Sequence, residues 1–270
     1  MIGAKIVCDS IGSHGIRLTT MEVTIPRFLL AQFNTHRAFS RNSASSRAVP
    51  TEKMIQRVEE NPFVPSVFGS NQRGMQAGDN LPPAESHRAE GIWQSAMRTA
   101  VIYAKQLADC GVHKQLANRL LEPFAYTTVL VTATDWDNFF KPRIHHAAQP
   151  EMQEVAQAMH RAMDEGDGLK MLKPGDWHIP YGDRMPLDLT PAERVKVAVA
   201  RCARLSYMTH DGTRDVAKDL ELYQRLYDER HMSPFEHVAQ CLPAYASESR
   251  YYNLRRWMSY RYQIENYIDT

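Results

Sequence analysis

A strand that leads directly into a helix constrains the fold of this chain more than any other feature. Residues 16–26 roughly alternate apolar and polar side chains and are rich in β-branched residues, a pattern that predicts a strand. Pro26 suits the first turn of a following helix, because its ring fixes φ and the missing N–H has no helical partner there. The chain therefore combines strand and helix from its first residues onward.

Further helices are predicted where apolar residues recur at helical spacing. These predicted helices cover residues 91–110, 113–121, 147–166, 191–207 and 213–230. Gly111 is a suitable C-cap for the first. Thr190 and Glu193 form a capping box at the start of the fourth, with Pro191 in the first helical position.

The remaining segments are assigned by their turn-forming and β-branched residues. Residues 125–136 are β-branched and fit a strand. Residues 49–86 are rich in Pro, Gly, Asn and Ser, which predicts a long irregular excursion. Residues 166–190 hold a similar set of turn formers and are predicted to be a linker.

The overall composition describes one large or two small globular domains. The chain has 270 residues, of which 43% are hydrophobic and 23% charged. These values exclude a disordered chain, a collagen-like repeat and a disulfide-rich miniprotein. The net charge is only +1. No overall field therefore attracts nucleic acid or an acidic membrane, and a bound anion has to be met by local arginines.

The cellular setting follows from the cysteines and from missing targeting signals. The four cysteines have neither C-x-x-C nor zinc-ligand spacing, so we expect free, buried thiols in a reducing compartment. The N-terminal residues lack the pattern of a signal peptide, and no window approaches eighteen apolar residues. These features predict a cytoplasmic protein that does not span a membrane.

Common catalytic motifs are missing from the sequence. There is no G-x-G-x-x-G after a strand, no G-x-x-x-x-G-K-[ST], no H-E-x-x-H and no G-x-S-x-G. His145 and His146 are adjacent, and adjacent side chains on a helix do not converge on one metal. We therefore expect no metal site and no NAD or ATP site of these types.

One short stretch, residues 32–47, concentrates polar groups suited to an anion. It holds three arginines, a histidine and several serines. Arginine presents a planar fork of donors to phosphate oxygens, and serine hydroxyls with successive backbone N–H groups complete such a cradle. A solvated polar loop after a helix has the same composition, and composition alone favours that simpler interpretation.

Two other stretches are unusual in the same way. Residues 233–237 read Ser-Pro-Phe-Glu-His, which also fits a capping box at a helix start. The other stretch comprises Arg119 with Pro123, followed by residues 138–143 and 148–152. Each stretch has an adequate structural explanation when taken alone.

Taken together, these motifs resemble the flavin-dependent thymidylate synthases. The family signature Arg-His-Arg, seven residues, Ser corresponds to Thr35-His36-Arg37, seven residues and Ser45. The family's Ser-Pro-Phe-Glu-His is intact at 233–237. Its Ala-Arg-x-x-Leu-Pro becomes Asn-Arg-Leu-Leu-Glu-Pro at 118–123, and its Asn-Phe-x-x-x-Arg and Ala-Gln-x-Glu-Ile correspond to 138–143 and 148–152.

The order of these motifs implies a circular permutation. In the family, an Ala-Arg-x-Ser-[Phe/Tyr] helix and Ser-Pro-Phe-Glu-His precede the Arg-His-Arg motif, whereas here residues 203–207 and 233–237 come last. The resemblance implies one α/β (α+β) domain over 1–270, with an antiparallel twisted sheet flanked by helices. Residues 1–165 then hold the family's later segments, 166–190 join its old ends, and 191–270 hold its N-terminal segments plus an aromatic tail. Termini that lie close together at a surface make such a rearrangement physically reasonable.

Two strand expectations depend on this resemblance. Residues 238–245 and 20–26 are expected to form strands near one another, because the break falls inside what is normally one strand. For residues 125–136 the family favours a partly helical structure over the strand that the residues alone suggest.

The resemblance also implies a reaction. Family members bind FAD, dUMP, methylenetetrahydrofolate and NADPH, and methylate dUMP to dTMP without an enzyme cysteine nucleophile. This sequence lacks the Pro-Cys-His nucleophile site of the classical synthases. Catalysis then rests on positioning and electrostatics. Family active sites lie between the subunits of a homotetramer, so a homo-oligomer is expected.

Site residues are carried over from the matching motif positions. His36, Arg37, Asn138 and Ser233 are expected to contact FAD, with His231 and Glu236 in the second shell of contacts or on the folate side. Arg143 is expected to be catalytic, stabilising negative charge on a pyrimidine carbonyl oxygen. The residues expected to hold the nucleotide are Gln32, Ser45, Ser46, Arg47, Arg119 and Arg143.

Several departures from the family leave other functions open. Thr35 replaces the first arginine of the motif, Ser46 and Ala48 replace Gly and Tyr, and Ser43 replaces a nearby Glu; Arg41 is a candidate substitute for the missing guanidinium. One alternative is a related C5 modification, such as hydroxymethylation, of another pyrimidine nucleotide. A second is an inactive nucleotide- or RNA-binding relative, suggested by the basic, aromatic residues 250–267. A buried or interface helix is the simpler interpretation of that tail, and a contribution of its aromatic rings to a pterin or flavin pocket is a third.

Overall fold

A five-stranded sheet forms the centre of the molecule. The computed structural model describes residues 1–166, 168–206, 215–245 and 250–267. The strands of this sheet are β1 (Gly3–Gly12), β2 (Arg17–Pro26), β3 (Ser40–Ser43), β4 (Tyr126–Ala133) and β5 (Lys170–Leu172). Their order is β3-β4-β2-β1-β5. All neighbours are antiparallel except β1 and β5, which run parallel.

Helices cover one face of this sheet because its inward residues alternate with a period of two. Those helices are α1 (Leu30–Phe33), α5 (Asp137–Arg143) and α6 (Pro150–Asp164). Met21 of β2 pairs in register with Val131 of β4, and both belong to the main buried cluster. The helices contribute Phe33, Phe139 and Val155 to that cluster.

The opposite face of the sheet meets residues from the second half of the chain. Helices α7 (Pro191–Ala203) and α8 (Val216–Asp228) pack together around a second buried cluster. A buried ion pair joins them, with Arg201 Nε 3.1 Å from Asp219 Oδ2. Cys202 of α7 packs against Leu130 of β4, so this helix pair is anchored on the central sheet.

A third helical layer supports the segment before β4. It consists of α2 (Thr51–Glu60), α3 (Pro83–Asp109), α4 (Lys114–Ala117) and a 3-10 helix at Asn118–Phe124. Met54, Ile55 and Val58 of α2 lie in one buried cluster with Leu121 of the 3-10 helix. After α3 ends, Gly111 adopts a φ of 78°, a conformation that favours glycine.

The C-terminal half adds a small second sheet. Its strands are β6 (Trp177–His178), β7 (Ala239–Cys241) and β10 (Trp257–Ser259), in the order β10-β7-β6. A short hairpin of β8 (Arg250–Tyr251) and β9 (Leu254–Arg255) precedes β10, and α9 (Tyr260–Tyr267) follows it. The tail predicted as a helix is therefore helical only in its second half.

Most of the predicted elements are confirmed. The class is mixed α/β with antiparallel sheets flanked by helices. The strand at β2 and the helix at α6 are present, and the Thr190–Glu193 capping box is formed in both directions. Residues 125–136 contain a strand and not the helical structure that the family suggested. Tyr207 and residues 213–214, at the ends of two predicted helices, lie outside the described residues.

Several predictions are wrong. The excursion at 49–86 contains α2, and α3 begins at Pro83, before the predicted start at 91. The turn-forming composition of residues 166–190 did not predict the two strands and the fully buried histidine, His178, that this segment contains. Cys110 is exposed, unlike the buried thiol expected.

The predicted helix start at 233 is wrong as well. Ser233–Glu236 forms a 3-10 turn without a capping bond from Ser233. The strand expected over 238–245 is only the short β7. The hydroxyl of Ser233 instead donates to Asn42 Oδ1 at 2.9 Å, which explains the first difference.

Candidate functional site

The loop between β3 and α2 is held in place by buried polar contacts. It contains a 3-10 turn at Ser46–Ala48. Asn118, which is fully buried, donates from Nδ2 to the carbonyl oxygens of Ser46 at 2.8 Å and Val49 at 2.9 Å. Arg27 donates from Nη1 to the carbonyl oxygen of Ala44 at 2.9 Å. The loop is therefore fixed from both sides before any ligand binds.

A cavity of about 290 Å³ opens beside this loop. Its wall includes Ser45, Ser46, Arg27, Arg57 and Tyr126. Hydroxyls and two guanidinium groups in the wall of a small cavity are the donor set that an anionic ligand requires. The volume is close to the lower end of the range for small-molecule sites.

Three donors of this region converge on the carboxylate of Glu122. Ser46 Oγ donates to Glu122 Oε1 at 2.6 Å. Arg119 Nη1 lies 3.0 Å from Oε1 and 3.1 Å from Oε2, and Arg27 Nη2 lies 3.3 Å from Oε1. We call Arg27, Ser46, Arg119 and Glu122 the loop cluster. Ser46 and Arg119, both predicted nucleotide ligands, are thus brought together by a residue that the sequence analysis did not assign to the site.

A second cluster surrounds His36. Its imidazole packs edge-on against Phe39 and Phe139, with ring centroids 4.4 Å and 5.2 Å away. The guanidinium of Arg143 lies 4.5 Å from the centroid of the Phe139 ring. Among the described residues, the buried Nε2 of His36 has no hydrogen-bond partner. Arg41 Nη1 donates to the carbonyl oxygen of His36 at 2.6 Å and so fixes this turn from behind.

Burial and neighbouring positive charges keep the side chain of His36 neutral near pH 7. Burial, together with the smaller effect of the positive charges of Arg143 and Arg41, lowers the pKa of His36 to about 4. Burial also lowers the pKa of Arg143. A partly desolvated guanidinium interacts more strongly with a nearby anion than one in open water does.

The Ser-Pro-Phe-Glu-His segment reaches the same place from the other half of the chain. Ser233 Oγ donates to Asn42 Oδ1 at 2.9 Å, and Asn42 Nδ2 donates to the carbonyl oxygen of Cys202 at 3.2 Å. Burial lowers the pKa of Arg41, and the nearby Glu236 carboxylate raises it. Glu236 also accepts from Arg261 Nη1 at 2.6 Å. We call His36, Arg41, Asn42, Arg143, Ser233 and Glu236 the histidine cluster.

Strand β3 connects the two clusters. Arg41 and Asn42 of this strand belong to the histidine cluster, and Ala44, immediately after the strand, is bonded to Arg27 of the loop cluster. The structure therefore places Ser46 and Arg119 in one cluster and His36, Arg143, Ser233 and Glu236 in the other. The two groups line successive parts of one edge of the sheet.

The other predicted site residues are at the surface. Four of them are exposed, namely Gln32, Arg37, Arg47 and Asn138. His231 is also exposed, and its Nε2 lies 3.4 Å from Glu229 Oε2. Arg37 acts on the histidine cluster through its charge, which lowers the pKa of Arg41 together with burial.

Sequence reasoning missed Arg27, Asn42, Asn118 and Glu122. Glu122 carried a usable signal, because it follows a predicted helix directly and lies three residues after Arg119, a spacing that pairs opposite charges. The buried role of Asn118 depends on a loop about 70 residues earlier in the chain, and no local pattern indicates it.

The described residues contain neither a group of metal ligands nor a helix suited to a membrane. Within residues 1–166, 168–206, 215–245 and 250–267, no three His, Cys, Asp or Glu side chains are grouped as a metal would need. None of the helices in these ranges combines the length and apolarity needed to cross a membrane.

Two solved structures have a partly similar backbone. One is the UMP/dUMP methylase PolB from Streptomyces cacaoi bound with 5-Br UMP, with 16% identity, a TM-score of 0.47, and coverage of 61% of this chain and 89% of that chain. The other is the same methylase bound with 5-Br dUMP, with 19% identity, a TM-score of 0.41, and coverage of 55% and 67%. A comparison with curated proteins found no match.

A sequence model of one family does match the chain. The family is described as thymidylate synthase complementing protein, and the match covers residues 17–166, more than half of the chain. It includes all of β2, β3 and β4 and every residue of the loop cluster. It also includes His36, Arg41 and Arg143 of the histidine cluster. The chain therefore belongs to the thymidylate synthase complementing protein family, the flavin-dependent thymidylate synthases.

Proposed function

We propose that the protein methylates dUMP at C5 to give dTMP, using FAD, methylenetetrahydrofolate and NADPH. The observation that carries this proposal is the fixed loop at 44–49, whose Ser45 and Ser46 border a cavity of about 290 Å³ together with Arg27 and Arg57. That donor set suits a nucleotide phosphate. Ser45, Ser46, Arg47 and Arg119 hold the phosphate end in this proposal, and Gln32 contributes from the same polar stretch.

The histidine cluster fits a flavin by the chemistry of its donors. His36 offers a buried Nε2 without a partner among the described residues, beside aromatic rings that suit a planar ligand. Arg37 and Asn138 are exposed next to it, and Ser233 and Glu236 approach from the other half of the chain. Bound flavin supplies the hydride chemistry of the reaction. Arg41, bonded to the His36 carbonyl oxygen, takes the place of the family's first motif arginine.

The role proposed for Arg143 is electrostatic. Its guanidinium lies over the Phe139 ring and is partly buried. The group is therefore held in one place, and water screens its charge poorly. Such a group stabilises negative charge that develops on a pyrimidine carbonyl oxygen. In this proposal, folate binds on the side of His231 and Glu236.

The thiols support a reaction without a cysteine nucleophile. Burial raises the pKa of Cys8 to about 11, and burial likewise raises the pKa values of Cys202 and Cys241. A buried thiol with a raised pKa holds little thiolate near neutral pH and is a poor nucleophile. Cys110, the exposed cysteine, follows α3 and belongs to neither cluster.

We further propose that the chain is a single, circularly permuted domain. The family match ends at residue 166, whereas the family's Ser-Pro-Phe-Glu-His motif lies at 233–237. Leu18 near the start of β2 shares a buried cluster with Ala239 and Cys241 of β7, which follows that motif. This proximity supports a break within one ancestral strand, with residues 166–190 joining the old ends. A homotetramer is proposed from the resemblance.

The reaction is tested by mass spectrometry of the nucleotide after incubation. The mixture contains the protein, FAD, NADPH, methylenetetrahydrofolate, dUMP and dCMP. We expect a dUMP product heavier by about one CH₂. A product heavier by CH₂O, or a change in dCMP alone, indicates the related C5 modification. No product and no bound flavin indicate a binding protein that has lost catalysis.

A further inference from the structure

Glu122 carries a negative charge into the part of the molecule proposed to hold a phosphate. Its carboxylate accepts from Ser46 Oγ, from Arg119 Nη1 and from Arg27 Nη2, at 2.6 to 3.3 Å. The three donors come from three separate segments of the chain. Only 19% of the Glu122 side chain is exposed. The carboxylate therefore lies where a bound anion meets these donors.

We propose that Glu122 is an internal occupant of this anion site, and that a nucleotide phosphate binds by displacing its carboxylate from Ser46 and Arg119. This inference rests on the proposed function, because it takes the loop cluster as the phosphate end of the nucleotide site. Glu122 then sets how tightly the protein holds a phosphorylated ligand.

Displacement is possible because the contacts of Glu122 are unequal. Arg119 is 48% exposed, and an ion pair at this exposure is weak and easily exchanged. Arg27 is 13% exposed and is also bonded to the Ala44 carbonyl oxygen, so it stays in place. A phosphate that enters takes over Arg119 and Ser46, and the Glu122 side chain rotates away.

The charges at the site explain why Glu122 should lower the affinity for phosphate. Arg27 and Arg119 carry two positive charges, and the negative charge of Glu122 neutralises one of them. A phosphate dianion approaching the same donors is repelled by a carboxylate a few ångströms away. The family motif has leucine where this chain has Glu122. Glu122 is therefore a residue that limits phosphate affinity and eases product release.

The test uses Glu122→Gln, which keeps the size of the side chain and an acceptor for Ser46 but removes the charge. The control is Glu221→Gln, which removes the same charge from an exposed position on α8. Calorimetric titration at fixed ionic strength measures binding of dUMP, inorganic phosphate and deoxyuridine. Fixed salt is needed because exposed charges are screened.

We expect Glu122→Gln to bind dUMP and inorganic phosphate about five- to tenfold more tightly than the unchanged protein. Deoxyuridine, which lacks the phosphate, should bind equally to both forms. Glu221→Gln should bind all three ligands as the unchanged protein does. Glu122→Leu introduces the family residue and should tighten phosphate binding to the same extent as Glu122→Gln. If Glu122→Gln does not fold, the titrations are made with Glu122→Leu.

Unchanged or weaker binding of phosphate and dUMP by the Glu122 variants overturns the inference. If the unchanged protein still converts dUMP in that case, the proposed function stands and Glu122 is only a support for the loop. Tighter phosphate binding without any dUMP binding has the opposite meaning: the anion site is real and the proposed substrate is wrong. Absence of binding by every form with every ligand overturns both.

Discussion

The hydroxyl of Thr132 lies 2.8 Å from Nδ1 of His237, in the centre of the molecule. The same hydroxyl lies 2.6 Å from that of Thr20, which lies 2.8 Å from Nε2 of His178. His178 Nδ1 lies 2.9 Å from the hydroxyl of Ser10. These contacts form one continuous chain of buried hydrogen bonds across the central sheet.

This buried chain connects parts of the sequence that are far apart. Thr20 and Thr132 lie within the segment matched to the family, whereas His178 and His237 lie after it. Burial lowers the pKa values of both histidines to about 3, so both are neutral near pH 7. Each threonine hydroxyl has a single proton to donate, so all hydrogen bonds of this buried series run from donor to acceptor in the same direction. The His-containing turn next to Ser233 and Glu236 is therefore fixed against the sheet.

Thr132→Val should destabilise the protein by about 1–3 kcal/mol. Valine keeps the shape of the side chain but leaves His237 Nδ1 and the Thr20 hydroxyl without their partner in a buried site. Urea unfolding measures the loss. Thr132→Ser retains the hydroxyl and should recover most of that loss, and Thr128→Val, on the same strand but partly exposed, should change stability little. Equal stability of Thr132→Val and the unchanged protein contradicts the network.

Stability should fall as the pH decreases below about 6.5. The folded-state pKa values of His178 and His237 are lowered from 6.5 to about 3, so the unfolded chain binds protons that the folded chain does not. Each histidine contributes a slope of about 1.4 kcal/mol per pH unit between these two pH values. Urea unfolding at a series of pH values measures the total slope. His237→Asn preserves an acceptor near Nδ1 and should reduce the slope by one proton; an unchanged slope counts against a buried neutral His237.

Arg37→Ala should lose flavin while remaining folded. Arg37 is exposed, so its removal does not open the core. Loss of one charge-assisted contact weakens binding about ten- to hundredfold. Flavin absorbance of the purified protein and its melting temperature are the two measurements. Arg73→Ala, at another exposed arginine, is the control, and full flavin content in Arg37→Ala means that the cofactor lies elsewhere.

Arg143→Ala should reduce kcat about 10²- to 10³-fold, the effect of removing one group that stabilises developing charge. Nucleotide turnover under saturating substrate measures it. Arg143→Lys keeps a charge but not the planar group stacked on Phe139, and should recover only part of the rate. A rise in KM with unchanged kcat assigns Arg143 to substrate binding alone.

Arg143→Ala should also raise the pKa of His36. Arg143 lowers that pKa through its positive charge, after burial as the larger cause. An NMR titration of the imidazole therefore should show its midpoint move from about 4 toward 6.5 in Arg143→Ala. This measurement is independent of activity, and a midpoint that stays in place shows that the two side chains are not neighbours.

Sequence patterns correctly predicted the elements that are determined by residues close together in the chain. The alternation at β2 and the capping box at Thr190 are set by residues within a few positions, and both are present. The helix α2 had a similar signal in Met54, Ile55 and Val58, but the surrounding prolines and glycines outweighed it. Turn-forming composition was therefore a poor guide within a long segment.

Predictions failed where partners come from distant parts of the chain. Ser233 fits a capping box by sequence, yet its hydroxyl donates to Asn42, which is 191 residues away in sequence. His178 lies among turn formers and is buried by partners from β1 and β2. The motifs identified the family and most of the residues near the site. They did not reveal how Glu122 joins Ser46 to Arg119.

The contact between β2 and β7 has a consequence for how the chain folds during synthesis. Leu18 packs with Cys241 and Trp257, and Trp257 Nε1 donates to the carbonyl oxygen of Ile16 at 3.1 Å. These pairs are separated by more than 200 residues. Contacts of such separation form late, because a long loop has to close first. Strands β1 and β2 are translated before residues 239–257, so they stay uncovered at this corner until those residues follow. During this interval a chaperone has an apolar strand to bind.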